Sequence, residues 1–339
     1  MLNKAVINLN ILKENALNVK SKLSKDVKFC AVVKADAYGH GACVVANALY
    51  PYVDCFAVAL PEEGVALRRA GIDKEILCLN PPFIRDAQLL VDYNITCTVY
   101  TFNHVDLLRR AAKKSGAIAS VHIKFNAGMN RQGVDDIRQL NELIEYCDKS
   151  KRVKITGTYS HLSAPENKNA LKSQVNKFLL ANNLVKGYNN KVICHVSASG
   201  GFLKGVEADM VRIGILLYGY KPFESKFVKV KPVMKVYAPP LCNRFIKTGE
   251  SALYGTHTAT APTEVTLVRY GYADGLFRKE TDGQFNNRCM DLTAVTNGKS
   301  CRYGYEIMGN ADQVANRYGT ISYEVLTKSA LRAEKIYIR

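Results

Sequence analysis

Apolar and polar positions follow two different rhythms along this chain, and the change comes near residue 220. Before it, short apolar runs recur at Phe29–Val33, Phe56–Leu60, Ile76–Leu79, Thr96–Val99, Val121–Phe125, Ile155–Tyr159, Val192–Val196 and Val211–Leu217. Continuous runs of this size, rather than alternating ones, predict strands covered on both faces, as in a parallel sheet. Stretches with helical spacing lie between most of them: Pro61–Ala70, Phe102–Lys114, Val134–Cys147 and Lys168–Leu184, preceded by Asn10–Leu23. Pro61-Glu62-Glu63 is a sound helix opening, since proline fits the first turn and carboxylates favour the positive end of the dipole. Strands alternating with helices in this way predict an α/β fold with an N-terminal (β/α)8 TIM-type barrel. A doubly wound open sheet is the competing architecture, because pattern alone does not show closure.

Beyond Tyr220 helical periodicity fades and strand-like runs take over at Val228–Val236, Glu264–Tyr270, Asp291–Thr296 and Ile336–Ile338. Turn signals stand at Thr248-Gly249, Asp282-Gly283 and Asn297-Gly298. The expected division is a barrel domain over residues 1–225 and a C-terminal mostly-β domain over 226–339. The first run, Ala5-Val-Ile-Asn-Leu9, precedes the first helix and is expected to add a strand to the second domain.

Composition removes several function classes. A length of 339 residues suffices for one large domain and a smaller one. The formal charge of +17 raises nucleic acid as a partner. The lysines and arginines are scattered, however, with no basic stripe interleaved with aromatics, no zinc-finger spacing and no RNP-type motif. No nucleic-acid partner is expected, and attraction of anionic ligands is the modest reading of the charge. The 10 cysteines form no C-x-x-C pair and several sit inside apolar runs, so they read as small core residues in a reducing compartment, with no metal site. No apolar run approaches the roughly 18 residues that span a bilayer. The N-terminal residues lack the apolar core of a signal peptide. The expectation is a cytoplasmic protein with no membrane partner.

The chemistry gathers around Ala31-Val-Val-Lys-Ala-Asp-Ala-Tyr-Gly-His-Gly41. An apolar strand ends at Lys34 and passes at once into a glycine-rich turn, which is how a buried strand delivers one side chain to the carboxyl end of a barrel. A bare strand-end lysine is usually solvated. Here Tyr38 and two glycines follow, and the glycines let backbone and phenol approach an anion closely. A desolvated lysine has a lowered pKa and can form a Schiff base with a carbonyl. Further segments place polar side chains at strand ends: Lys124-Phe-Asn-Ala-Gly-Met-Asn-Arg-Gln-Gly133, Thr158-Tyr-Ser-His-Leu-Ser163, His195-Val-Ser-Ala-Ser-Gly-Gly201 and Met210-Val-Arg-Ile-Gly-Ile215. In the C-terminal part stand Ala252-Leu-Tyr-Gly-Thr-His257, Arg269-Tyr-Gly-Tyr-Ala-Asp-Gly-Leu-Phe-Arg278, Arg288-Cys-Met-Asp291 and Ile321-Ser-Tyr-Glu-Val-Leu326.

Taken together and in this order, these segments resemble the alanine racemase family, pyridoxal 5′-phosphate (PLP) enzymes of fold type III, over nearly the whole chain. The resemblance implies that Lys34 carries the cofactor and that Tyr38, Ser199, Gly214, Ile215 and Tyr323 hold its phosphate. It assigns Arg212 to the pyridine nitrogen and places His161 beneath the ring, bonded to an arginine. An arginine cannot accept the ring nitrogen's proton, so the ring is a weaker electron sink than with a carboxylate partner, which suits return of a proton to Cα. By the same resemblance Arg131 meets the phenolic oxygen and the substrate carboxylate, with Lys124, as a carbamate, orienting it. Tyr254 is implied as a second base contributed across a homodimer. The Met290 amide meets the substrate carboxylate, Asp291 supports the opposite subunit's site and Tyr272 lines its mouth. The chain departs from the family at Asn126-Ala127 (usually Asp-Thr), at Ala198 (usually Asn), at Asn287 (often Arg) and in a shortened Lys279–Asn287 segment. The basic proline-arginine segment that usually follows Tyr323 is not recognisable in Ser329-Ala-Leu-Arg-Ala-Glu334.

The expected function is interconversion of L- and D-alanine by Lys34 and Tyr254 on opposite faces, supplying D-alanine for peptidoglycan. The nearest alternative is the same reaction on serine, a basic or a broader range of amino acids. A fold-related basic amino-acid decarboxylase is opposed by Arg212 and by the Leu-Tyr-Gly-Thr tyrosine. A non-catalytic PLP-carrier protein is opposed by the second domain, because such proteins are single barrels.

Overall fold

The first strand of the chain belongs to the last sheet. In the computed structural model, which describes residues 2–254, 258–278, 288–296 and 298–339, β1 (Lys4–Asn8) is followed directly by the helix Leu9–Lys20. Asn8 ends the strand and caps that helix, its Oδ1 accepting the Asn10 and Ile11 N–H groups at 3.0 Å each.

Eight parallel strands follow: β2 (Lys28–Val32), β3 (Cys55–Val58), β4 (Glu75–Cys78), β5 (Thr96–Val99), β6 (Ala119–Lys124), β7 (Val153–Tyr159), β8 (Ile193–His195) and β9 (Met210–Ile213). Sequential neighbours pair from β2 to β8, and β9 returns to pair with β2. Between β8 and β9 the ring is closed by the Ala198–Arg212 bridge and by the Arg212 N–H donating to the Ser197 carbonyl at 3.0 Å. The open-sheet alternative is thereby set aside: this is a (β/α)8 barrel. Its strands are buried along nearly their whole length, as their unbroken apolar runs predict. Phe29, Phe56, Phe125 and Tyr159 are fully buried, and each such ring removes apolar surface worth on the order of 1.5–3 kcal/mol.

The local rules hold closely in this half. The helix Phe102–Lys114 begins at Thr101, whose side chain accepts from the His104 N–H. The expected Val134–Cys147 helix instead starts at Ile137, because Asp136 caps it and Val134 is drawn into a bridge with Phe125 at the end of β6. The last expected strand also stops early, at Ile213, and Gly214–Tyr220 folds back as tight turns.

The C-terminal part holds β10 (Met234–Ala238), β11 (Pro240–Ile246), β12 (Thr263–Val268), β13 (Thr293–Val295), β14 (Ser300–Cys301), β15 (Gly304–Met308) and β16 (Glu334–Ile338). One sheet runs in the order β14-β15-β10-β1-β16, so the first and last strands of the chain lie side by side in parallel; β11-β12-β13 form a second, antiparallel sheet. Two helices, Ala311–Tyr318 and Ser322–Ser329, interrupt the β pattern. Neither is expected from the sequence. Each is only 8 residues long, too short for a helical period to stand out, and Gly319 at φ +65° separates them. The turn at Thr248-Gly249 is present, with Gly249 at φ +84°. The Asp282-Gly283 turn, the Lys279–Asn287 segment, and Asn297 of the third turn lie outside the described residues.

Candidate active site

Lys34 follows β2 immediately, and the chain then does something L-residues rarely do. Ala35, Asp36, Ala37 and Tyr38 all have φ between +51° and +54°, a full left-handed turn, before Gly39 at +82°. Left-handed geometry costs roughly 1–2 kcal/mol per non-glycine residue, so the turn persists only because its surroundings dictate it. Those surroundings are specific. Glu63 accepts the Ala35 N–H at 2.6 Å with one oxygen, and the Ala59 and Leu60 N–H groups at 2.7 and 3.0 Å with the other. Asp36 accepts the Ala42 N–H at 2.8 Å and pairs with Lys335 at 2.9 Å. A Cβ on Gly39 would fall 2.5 Å from the Leu326 carbonyl, so the turn rests directly on the second C-terminal helix.

The turn drives Tyr38 inward. Its ring lies 4.7 Å from that of Tyr218 and 6.0 Å from that of Tyr323. Its hydroxyl stands where a side chain on residue 214 would be, 2.5 Å from the ideal Cβ position of Gly214. The Gly214 N–H donates to Ser199 Oγ at 3.3 Å. Tyr38 and Ser199 thus both reach the Gly214 backbone, with Ile215 buried next in the chain and Tyr323 against the Tyr38 ring. Burial raises the Tyr38 phenol and holds Tyr323 up at about 12, so both remain protonated and able to donate to an anion.

Arg212 lies under the mouth of the barrel, 3 % exposed. Nη1 donates to Nδ1 of His195 and to the His195 carbonyl at 3.0 Å; Nη2 donates to the carbonyls of Ser160 at 2.7 Å and Val196 at 3.2 Å. A guanidinium has five N–H groups. Among the described residues four are taken, which leaves Nε–H as the donor free for a ligand. Burial lowers Arg212 to about 10, still a cation at neutral pH. The imidazole that Arg212 binds is His195. His161 receives none of these bonds, and burial, followed by the charge of Arg212, drives it down to about 3.

Lys34 is half-buried. Burial first, then Arg131, and lastly Arg212 lower its pKa, with Glu63 opposing them. Lys124, at the end of β6, donates to Gln132 Oε1 at 2.8 Å and lies 5.4 Å from the Tyr159 ring centroid. Burial and the neighbouring cations bring it to about 7. Arg131 is exposed on the loop between Lys124 and Val134. Asn126 organises that loop: Oδ1 accepts from Gly128 and Asn130, and Nδ2 donates to Asp135 at 2.7 Å. The Ala127 N–H finds Ser160 Oγ at 3.2 Å, so the departure from Asp-Thr leaves the loop well tied.

Several partners in this site were not singled out from the sequence as functional: Glu63, Tyr159, His195 and Tyr218. Tyr159 stacks on His195 with centroids 4.8 Å apart and an interplanar angle of 3°, and the Arg212 guanidinium sits 5.1 Å over its ring. The available signal was position, since Tyr159 and His195 end neighbouring strands in register. The remaining expected residues are not gathered here. Tyr254 is 72 %, Met290 55 % and Tyr272 38 % exposed, and Asp291 pairs with Arg332 at 2.8 Å on the C-terminal surface. The main chain does join two of these segments: the Met290 carbonyl accepts the Ala273 N–H at 3.0 Å.

Comparison with known proteins fits this geometry. Residues 7–222 match the family described as alanine racemase, N-terminal domain, and residues 233–337 match alanine racemase, C-terminal domain. The chain belongs to the alanine racemase family. The alanine racemase of Treponema denticola is 32 % identical over 99 % of this chain and 98 % of its own length, and that of Streptococcus pyogenes is 32 % identical over 98 % and 97 %. Among solved structures, the alanine racemase of Clostridium difficile 630 superposes with a TM-score of 0.92 at 30 % identity, covering 100 % of this chain and 96 % of that one. That of Bacillus anthracis, solved with bound L-Ala-P, gives 0.89 at 25 % identity over 99 % and 95 %. The protein is thus an amino-acid racemase. Among the described residues no cluster of metal-ligating side chains occurs, and no helix is long and apolar enough to cross a membrane.

Proposed function

We propose that this racemase interconverts L- and D-alanine with pyridoxal 5′-phosphate seated at the Lys34 end of the barrel. One observation carries the reading: the hydroxyls of Tyr38 and Ser199 converge on the Gly214 backbone, in a site that also holds an amine of lowered pKa and a buried guanidinium with one uncommitted N–H. The residues fit the cofactor. The absence of a side chain at Gly214 lets the Tyr38 hydroxyl come close to the backbone there; the hydroxyls of Tyr38 and Ser199 suit a phosphate, Arg212 suits a ring nitrogen and Lys34 suits an aldehyde. When bound, pyridoxal phosphate supplies an electron sink that acidifies the α-proton of an attached amino acid.

The chain's own groups do the rest. Lys34, favoured as a neutral amine by burial, takes the proton from Cα on its face through Nζ. Tyr254 of the partner subunit delivers a proton from its hydroxyl to the other face, and the roles reverse for the opposite enantiomer. Arg131 and the Met290 amide bind the substrate carboxylate, Tyr272 narrows the mouth, and Asp291 braces that wall. His161 packs below the ring as a neutral imidazole. Lys124, near 7, exists largely as the free amine above neutrality, the form that adds CO2 to give a carbamate; its negative charge would then steer Arg131. The reading includes a homodimer with shared sites, a domain boundary near residue 225, a cytoplasmic location and D-alanine destined for peptidoglycan.

The test is one preparation read three ways. Purified protein supplied with PLP should show a cofactor absorbance band, fix the cofactor covalently on Lys34 under borohydride as seen by peptide mass, and convert L- to D-alanine. Cofactor fixed on Lys34 without alanine turnover would overturn the substrate assignment; absence of any fixed cofactor would overturn the reading entirely.

A further inference from the structure

A line of polar groups runs down the barrel axis that the chemistry above does not use. Beyond Arg212 and His195, Nε2 of His195 lies 2.9 Å from Nδ1 of His122, and Nε2 of His122 lies 3.6 Å from Oε1 of Glu75. Both imidazoles are buried, 0 % and 1 % exposed, and burial holds both well below the ordinary range, His122 at about 4. Each ring is therefore neutral with one proton. Their locations follow from the hydrogen bonds. Arg212 donates to Nδ1 of His195, so the His195 proton is on Nε2. That N–H donates to Nδ1 of His122, so the His122 proton is on its Nε2 and faces Glu75. At 3.6 Å the carboxylate is beyond hydrogen-bond length. Its charge still repels a nitrogen lone pair and favours an N–H, so both ends of the line select the same tautomers.

The line is built into the barrel. A Cβ on Gly157 would fall 2.4 Å from the His122 ring, so that glycine inside β7 opens the space the ring fills. Thr96 Oγ1 donates to Glu75 Oε1 at 3.0 Å and fixes the carboxylate. Glu75 opens β4, at the end of the barrel opposite Lys34, where it lines a cavity of about 510 Å³ with Thr96, Ser120, Lys154 and Thr156.

We propose that Glu75 is a positioning residue for Arg212, acting through His122 and His195 so that the guanidinium stays anchored through Nη1 and presents Nε–H to its ligand. The inference rests on the proposed cofactor only in naming that ligand as the ring nitrogen.

Long-range proton–nitrogen NMR of the histidine rings in the full chain, with and without added PLP, tests it. The chain has 6 histidines, few enough to assign by substitution. The parent protein should show His122 and His195 as neutral Nε2–H tautomers, with a coupling across the hydrogen bond joining their two nitrogens. Glu75→Leu, which leaves only the Arg212 end to hold the line, should weaken that coupling and lower kcat for alanine about tenfold with KM nearly unchanged, as loss of a supporting partner does. Glu75→Asp, which keeps the charge, should restore most of both, whereas Glu75→Gln, which keeps the shape without the charge, should behave like Glu75→Leu. A cationic ring or an Nδ1–H tautomer at either histidine in the parent would overturn the proposal, and so would an unchanged coupling in Glu75→Leu whatever the rate. The spectra without PLP answer this independently of cofactor binding and turnover, so failure of the cofactor reading is seen separately.

Discussion

At the scale of single residues the active amine is governed by a balance of charges. Burial, Arg131 and Arg212 all push Lys34 toward the neutral amine, and Glu63 alone among the named neighbours pulls the other way. Glu63 does this from a fixed place, because three backbone N–H groups hold its carboxylate across the start of the left-handed turn. A negative charge near a lysine stabilises the protonated form and raises its pKa. Glu63→Gln removes the charge and keeps an acceptor oxygen. The Lys34 pKa should therefore fall, and the fraction present as free amine at a given acidic pH should rise. In the pH profile of kcat, which reports ionisations of the substrate complex, where Lys34 is a free amine, the acidic limb should move to lower pH. A limb that stays put, or moves up, would show that Glu63 acts on the turn and not on the amine.

At the scale of elements the decisive unit is the turn Ala35–Tyr38, four left-handed residues of which none is glycine. Ala35 is exposed, so its side chain contributes little packing. Ala35→Gly should then relieve about 1–2 kcal/mol of steric strain while adding about 0.5–1 kcal/mol of unfolded-state entropy, for a net gain of up to about 1.5 kcal/mol. The midpoint of urea unfolding should rise, and kcat should fall because Lys34 is held less firmly; a lowered midpoint would mean the turn is unstrained. Nothing in Lys34-Ala-Asp-Ala-Tyr38 foretells this geometry, since alanine and tyrosine avoid the left-handed region and aspartate enters it as a single residue, not as part of a four-residue turn. It is imposed by distant contacts, from Glu63, Lys335 and Leu326. The barrel was far more legible. Thr96–Val99 and Phe102–Lys114 form over the expected residues, because a buried parallel strand and an amphipathic helix each write their own period. The structure brings Tyr38, Ser199 and Gly214, which the family resemblance groups, close together. His122 and Glu75 were not legible, since their role arises only when barrel closure brings side chains of the alternate strands β4, β6 and β8 together. The one trace was Gly157, a glycine in the interior of β7.

At the scale of the whole molecule, one chain presents half of the proposed chemistry. Lys34, Tyr38 and Arg212 lie together at the barrel mouth, whereas Tyr254, Tyr272 and Met290 are exposed on the C-terminal part, and Tyr254 has no hydrogen bond to any described residue. An exposed group of aromatic and apolar side chains is the composition expected where a second copy packs, and a two-fold contact would give each subunit the other's tyrosine. The arrangement makes a quantitative prediction. Lys34→Ala removes one base and Tyr254→Phe the other, so each homodimer should be nearly inactive. Mixed and allowed to exchange subunits, half of the dimers become mixed. In each, one site holds Lys34 from the Tyr254→Phe chain and Tyr254 from the Lys34→Ala chain, while the other site lacks both. Activity should therefore recover to about a quarter of that of the parent protein, a ceiling set by symmetry and random pairing. Recovery should need time for exchange and should fail if each variant is cross-linked as a homodimer before mixing. If the mixture stays at the sum of its parts although exchange is demonstrated by mass, then Tyr254 serves its own chain or no site, and the shared-site reading is wrong.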